Sequence, residues 1–171
     1  MKIDKTDLED VCIITPDIFK DYRGEYIETF DTNNYLSLTE FVQDDVSISY
    51  KNVIRGLHGD QNTTKLIQCL YGRILLTVLD CNPDSKTYLE HIQIILDDKT
   101  RQQVLVPSLK ANGHLCLSDQ CIFSYKQSTH YKDQKQFTIK YDAYDIKWPI
   151  DHKNIILSER DKYAKNKLEN L

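Results

Sequence analysis

The sequence predicts an all-β domain, an antiparallel sandwich or barrel closed by a short C-terminal helix. Three observations carry this. Short segments rich in β-branched and aromatic residues recur along the chain, Asp, Asn and Lys clusters separate them, and helical signals are weak until the end. At 171 residues the chain fits one domain, taken as residues 1–171, and can bury a real core.

In chain order the strand segments are "VCIIT", "EYIETF", "VSISY", "KLIQCLY", "RILLTVLD", "LEHIQIIL", "QVLVP", "HLCLS", "CIFSYKQ" and "FTIKY", a core of ten strands. "LEHIQIIL" alternates apolar and polar residues, as a half-buried strand should. With only 5 Gly and 4 Pro, turn formation falls to clusters such as "DCNPDSKT", "LDDKTRQ" and "YKDQKQ". Segments this closely spaced favour antiparallel pairing over βαβ units. A short helix is read in "TNNYLSL". A terminal one is read in "LSERDKYAKNKLENL", where Ser158 followed by Asp161 resembles a capping box with Asp in the Glu position.

Composition bounds the function. A formal charge of −4 argues against nucleic acid as the main partner, though a small phosphorylated ligand needs only a few local cations. No apolar run approaches the ~20 residues of a membrane span. The opening "MKIDKTDLED" has no apolar h-region, so no secretory signal is expected. The 5 cysteines lie mostly in apolar runs without a CxxC pair, which reads as reduced, buried thiols of a cytoplasmic protein.

One stretch holds the candidate chemistry. "NVIRGLHGDQNTTKL" gathers Arg55, His58 and Lys65 in a strand-like segment. An imidazole titrates near neutral pH and suits a general base, and a lysine can hold a developing oxyanion. Tyr125 in "CIFSYKQ" can donate a proton from another strand, and an acidic partner would set the histidine tautomer. Together these are the parts that proton abstraction beside a carbonyl requires. Taken singly, each has an ordinary structural use. His58 can be a hydrogen-bonded structural residue, Lys65 a solvated one, Tyr125 a packing one, and Asp161 a first-turn carboxylate suited to the helix dipole. The chain has no His-x-His pair, so no metal site is expected.

From "ITPDIFKDYRGEYIETF" through "FVQDDVSIS", "VIRGLH", "LDCNPDSKTY", "VLVP", "FSYK" and "IKWP" to "LSERD", the chain resembles the nucleotide-sugar 3,5-epimerases of the dTDP-4-dehydrorhamnose 3,5-epimerase type. The likeness runs over nearly the whole chain. It implies a cupin-like jelly roll and epimerisation of a nucleotide-linked 4-keto sugar through an enolate, with no cofactor or metal. His58 then matches the base, Asp161 its carboxylate partner, Lys65 the cation at the 4-keto oxygen, and Tyr125 the acid on the other ring face. Arg23, Glu28, Gln43 and Arg55 match residues of the nucleotide and phosphate region. The resemblance also implies a homodimer whose N-terminal strands are shared.

Some positions depart from the family pattern. In "ANGH", Asn112 replaces a functional histidine, and His114 lies two residues on, on the same face of a regular strand. In "DCN", Asn82 replaces an arginine. The forms "HGD", "CLYG" and "ANGH" look closer to the branch acting on GDP-linked 4-keto-heptoses for capsular polysaccharide, so a GDP-4-keto-heptose is the expected substrate. The alternatives are a dTDP-4-keto-6-deoxyhexose 3,5-epimerase or ketoisomerase, or a non-catalytic sugar-nucleotide-binding cupin.

Overall fold

A computed structural model describes residues 1–35 and 39–168. Its strands are β1 (Lys2–Lys5), β2 (Cys12–Thr15), β3 (Ile18–Asp21), β4 (Gly24–Ile27), β5 (Gln43–Tyr50), β6 (Ile54–Asp60), β7 (Lys65–Tyr71), β8 (Arg73–Asp80), β9 (His91–Asp97), β10 (Gln103–Val106), β11 (Lys110–Cys116), β12 (Gln120–Gln127) and β13 (Gln136–Thr138). A six-stranded sheet, ordered β1-β2-β10-β7-β12-β5, faces a five-stranded sheet, ordered β13-β6-β11-β8-β9. The antiparallel β3–β4 hairpin stands apart from both. This is the β-sandwich that the sequence predicts.

The strands exceed the predicted ten. "KLIQCLY" and "RILLTVLD" are strands from end to end. β1, β3 and β13 are short, and "IRGLHGD" forms β6 despite its glycines and charges. "HLCLS" is displaced, since β11 begins at Lys110. Its first half, "KANG", lies outside the strand segment read from the sequence, because its residues are polar or small and carry no apolar pattern. All seven residues of the strand are buried.

The apolar core lies between the sheets, built from Ile67, Cys69, Ile74, Leu76, Val78, Leu96, Val104 and Phe123 among others. All five cysteines are free, and four of them are buried. β5 inverts the usual pattern. Ser49 is buried, while Val46, Ile48 and Tyr50 are exposed at 60%, 51% and 67%. "VSISY" therefore turns its serines inward, because the interior at that end is a polar cavity rather than core.

The helices are shorter than expected. α1 spans Thr32–Tyr35, and the remainder of "TNNYLSL" lies outside the described residues. α2 spans only Glu159–Lys162, with the Ser158 hydroxyl accepting from the Asp161 N–H as an N-cap should. The reciprocal half of a capping box is absent, because the Asp161 carboxylate is engaged elsewhere. No helix among the described residues is long and apolar enough to cross a membrane.

Candidate active site

The site depends first on a bulge. On β11, Asn112 pairs with His58 and His114 pairs with Arg55, so two residues of advance on β11 match three on β6. In a regular strand, residues three apart point to opposite faces. The extra residue re-aims the chain and brings Arg55 and His58 onto one face. Gly56, with φ of +119°, makes this possible, since a Cβ there would lie 2.6 Å from the Gly113 Cα of the neighbouring strand. The grouping of Arg55 with His58 is thus produced by one backbone irregularity.

The C-terminal segment supplies the second part. Ile54 donates its N–H to the Ile156 carbonyl and Ile156 donates to the Asn52 carbonyl, which lays this segment along the start of β6. α2 then presents Asp161 to His58, with Oδ1 2.7 Å from Nε2 across 103 residues of sequence. The other carboxylate oxygen accepts the Gly56 N–H at 3.3 Å. Asp161 is buried, and burial alone would raise its pKa. The hydrogen bond and charge of His58, with the Gly56 and Ser158 contacts, outweigh this and hold it below the usual carboxylate range. The carboxylate fixes the imidazole in orientation and leaves Nδ1 as the nitrogen available for proton transfer.

His58, Lys65, Tyr125 and Asp161 line one cavity of about 360 Å³, together with Arg55, Asn112, His114, Phe123 and Ser47. Lys65 crosses from β7 and donates to the Asn112 side-chain carbonyl at 3.2 Å, and its Nζ lies 5.9 Å from the Tyr125 ring centre. Desolvation lowers the lysine pKa to about 8. Tyr125 is pushed the other way, to about 12, by burial and then by the charge of Asp45. Its phenol therefore stays protonated and can act as an acid.

The matched features can be compared with known proteins. The dTDP-4-dehydrorhamnose 3,5-epimerase family model matches residues 5–169. A dTDP-4-dehydrorhamnose 3,5-epimerase of Methanothermobacter thermautotrophicus is 35% identical, covering 97% of this chain and 94% of its own. The chain belongs to the dTDP-4-dehydrorhamnose 3,5-epimerase family. Among solved structures, the Legionella pneumophila dTDP-6-deoxy-D-glucose-3,5-epimerase, in complex with dTDP-4-keto-L-rhamnose, superposes with a TM-score of 0.90 at 32% identity. The match covers 96% of this chain and 91% of that one. The Elizabethkingia anophelis dTDP-4-dehydrorhamnose 3,5-epimerase gives 0.89 at 34% identity, covering 96% and 95%. The protein is accordingly an isomerase-type enzyme with the jelly-roll fold of this family.

Not all the expected site residues of this epimerase meet. Arg55 lines the cavity, with Nε on the Ser49 hydroxyl at 2.9 Å and Nη2 on the Ile48 carbonyl at 3.1 Å. Asn112 and His114 line it too, although the strand between them is irregular towards β6. His114 is buried, stacks on Phe123 at 4.2 Å, and has its pKa driven down to about 3, chiefly by desolvation. It is neutral near pH 7 and serves as a wall.

Arg23 and Glu28 do not join the cavity. Arg23 sits at the β3–β4 turn, paired with Asp21 at 2.6 Å, and Glu28 accepts from Asn34 at 3.3 Å. Gln43 lies at the start of β5, bonded to Asp45 and to the Tyr131 N–H. Phe123 and Ser47 escaped the sequence reading. A period-two signal was available for Phe123, two residues before Tyr125 on the same strand face. Ser47 carried none, because the serine positions of β5 read as the outward face.

The GDP-heptose expectation finds no support in these comparisons, which match its dTDP-sugar alternative better. The matched relatives are dTDP-sugar epimerases. Two of the three motifs behind it are turn chemistry. In "HGD", Asp60 is buried and accepts the Asn62 N–H and the Thr63 hydroxyl. In "CLYG", Gly72 adopts φ of +78°, and a Cβ there would meet the Gln120 carbonyl at 2.3 Å. Asn82 likewise serves a turn, its side chain accepting the Asp84 N–H.

Proposed function

We propose that this protein inverts carbon 3, and carbon 5 with it, of a dTDP-linked 4-keto-6-deoxyhexose. The single observation that carries the reading is the convergence of His58, Lys65 and Tyr125 on one cavity, with Asp161 behind the histidine. The Legionella relative bound to dTDP-4-keto-L-rhamnose supports the substrate class.

The chemistry follows from carbonyl acidity. A 4-keto group acidifies the C–H bonds on either side of it. His58, oriented by Asp161, takes the proton, and the electron pair moves onto the keto oxygen as an enolate. The Lys65 ammonium neutralises that oxygen, a contribution of a few kcal/mol (about 3) in a water-poor pocket. Tyr125 returns a proton to the opposite ring face, which inverts the centre. Proton transfer alone closes the cycle, so the scheme calls on no metal or redox cofactor. Arg55 supplies positive charge toward the diphosphate.

Arg23, Glu28 and Gln43 fit a shared site in a homodimer, where the β3–β4 hairpin of one subunit reaches the cavity of the other. The exposed hairpin aromatics, Phe19, Tyr22 and Tyr26, and the apolar outer face of β5 are surfaces such a dimer covers.

The test is incubation with a dTDP-linked 4-keto-6-deoxyhexose in deuterated water, read by NMR. Deuterium is expected at carbons 3 and 5 of an inverted product, and His58→Asn is expected to lose about 10³-fold or more in rate. Exchange only with a GDP-linked 4-keto sugar would restore the GDP-heptose reading. A carbonyl moved to carbon 3 would make the protein a ketoisomerase, and no exchange with either nucleotide would leave a binding module.

A further inference from the structure

We infer that Asp45 is a positioning residue for Tyr125, aiming the phenol so that the proton returns to the inverting face of the sugar. The inference rests on the proposed reading of Tyr125 as the acid. Asp45 and Tyr125 are directly opposed partners on β5 and β12. Residues so paired hold their Cβ atoms about 5 Å apart on the same face of the sheet. That face is the inner one, since Ser47 and Tyr125 line the cavity and β5 alternates inward and outward.

The carboxylate is itself held from behind. The Gln43 and Gln127 side-chain amides both donate to Asp45 Oδ2, at 2.9 and 2.5 Å. Each glutamine is anchored in turn: Gln43 accepts the Tyr131 N–H at 2.8 Å, and Gln127 accepts from Gln134 at 2.5 Å. Two amides on one oxygen fix the plane of the carboxylate and leave Oδ1 outside those two bonds, and a hydrogen-bond contribution from Asp45 is among the causes that raise the Tyr125 pKa. A surface aspartate serving only as a strand-edge anchor would not need this. The other charged groups about the ring, Lys65 and Arg55, are cations, so Asp45 is the negative group on that side. Its charge also contributes to the raised pKa of Tyr125, second to burial.

The consequence lies in how the enolate partitions. Once His58 has taken the proton, the intermediate can be protonated by Tyr125, giving inversion, or by His58 again, giving back the starting sugar. A phenol free to rotate slows the first path and leaves the second unchanged. In deuterated water the second path labels recovered substrate without inverting it, because the proton on His58 exchanges with solvent.

The experiment measures label in recovered, uninverted substrate against label in product for wild type, Asp45→Asn and Asp45→Ala. The expected result is a rise in that ratio of about tenfold or more in Asp45→Ala, with KM little changed. Asp45→Asn, which keeps the shape and one acceptor, should lie between. Equal ratios in all three overturn the inference even if Asp45→Ala is slower, because general loosening lowers both paths together. If wild type itself shows no exchange, the proposed activity has failed, and that outcome is distinct from equal ratios. Should Asp45→Ala not fold, Asp45→Asn and Gln127→Leu carry the same test with a smaller expected rise.

Discussion

Two lysines enter the interior of this sandwich and meet opposite surroundings. Lys110, on β11, is buried at 5% exposure with its Nζ 2.7 Å from Asp80 Oδ1. Asp80 also takes the Ser85 and Thr87 hydroxyls and the Asn82 N–H. Burial would raise the pKa of that carboxyl, but these partners together hold it low. Lys65, on β7, finds a neutral amide as its hydrogen-bond partner, that of Asn112, two positions beyond Lys110 on β11. The paired charge is spent on structure. In the proposed mechanism the other stays available for an anion that arrives with the substrate, and its pKa near 8 records the cost of holding it there.

Substitutions can break this contrast. Lys110→Met should produce the largest change in stability, a loss of about 3–5 kcal/mol in chemical denaturation, because it strands a buried carboxylate. A loss under about 1 kcal/mol would mean that the Asp80 network is satisfied without the lysine. Lys65→Met should do the reverse. Activity falls about 10²–10³-fold, as for removal of an oxyanion donor, while stability at neutral pH holds or rises. The sign follows from linkage. A lysine whose folded pKa lies below its unfolded value binds fewer protons when folded, so stability rises with pH between the two values. The buried charge therefore destabilises the fold below pH 8, and removing it relieves a cost on the order of 3 kcal/mol. A destabilised Lys65→Met would place this residue with Lys110 as structure.

The smallest effect sharpens the comparison. With Lys65 near pH 8, kcat/KM should fall as pH rises through about 8, tenfold per unit, as the ammonium is lost. Asn112→Leu removes the carbonyl that favours the charged form. It should cost about tenfold in activity and move that limb to lower pH, and an unmoved limb would detach Asn112 from the lysine.

The four catalytic candidates were legible in the sequence, but through the resemblance rather than through spacing. His58 and Lys65 are near neighbours in the chain, whereas Asp161 first looked like a helix cap, and it does donate its backbone N–H to Ser158. Its side chain is decided by where the C-terminal segment docks. "KANG" went unread as part of a strand and "VSISY" concealed its inward serines, for one reason. Pattern reading assumes an apolar inside, and a strand lining a polar cavity reverses the assumption.

Local chemistry therefore determined the strand-rich class, the turns at "DCNPDSKT" and the capped start of the last helix, since each depends on a few adjacent residues. Only tertiary structure decided that a bulge against β11 turns Arg55 and His58 the same way, and that Asp161 reaches His58 across 103 residues. It also gave Lys110 a carboxylate and Lys65 an amide. Those outcomes belong to register and docking, which are set by the whole packed sandwich and leave no periodicity in the chain.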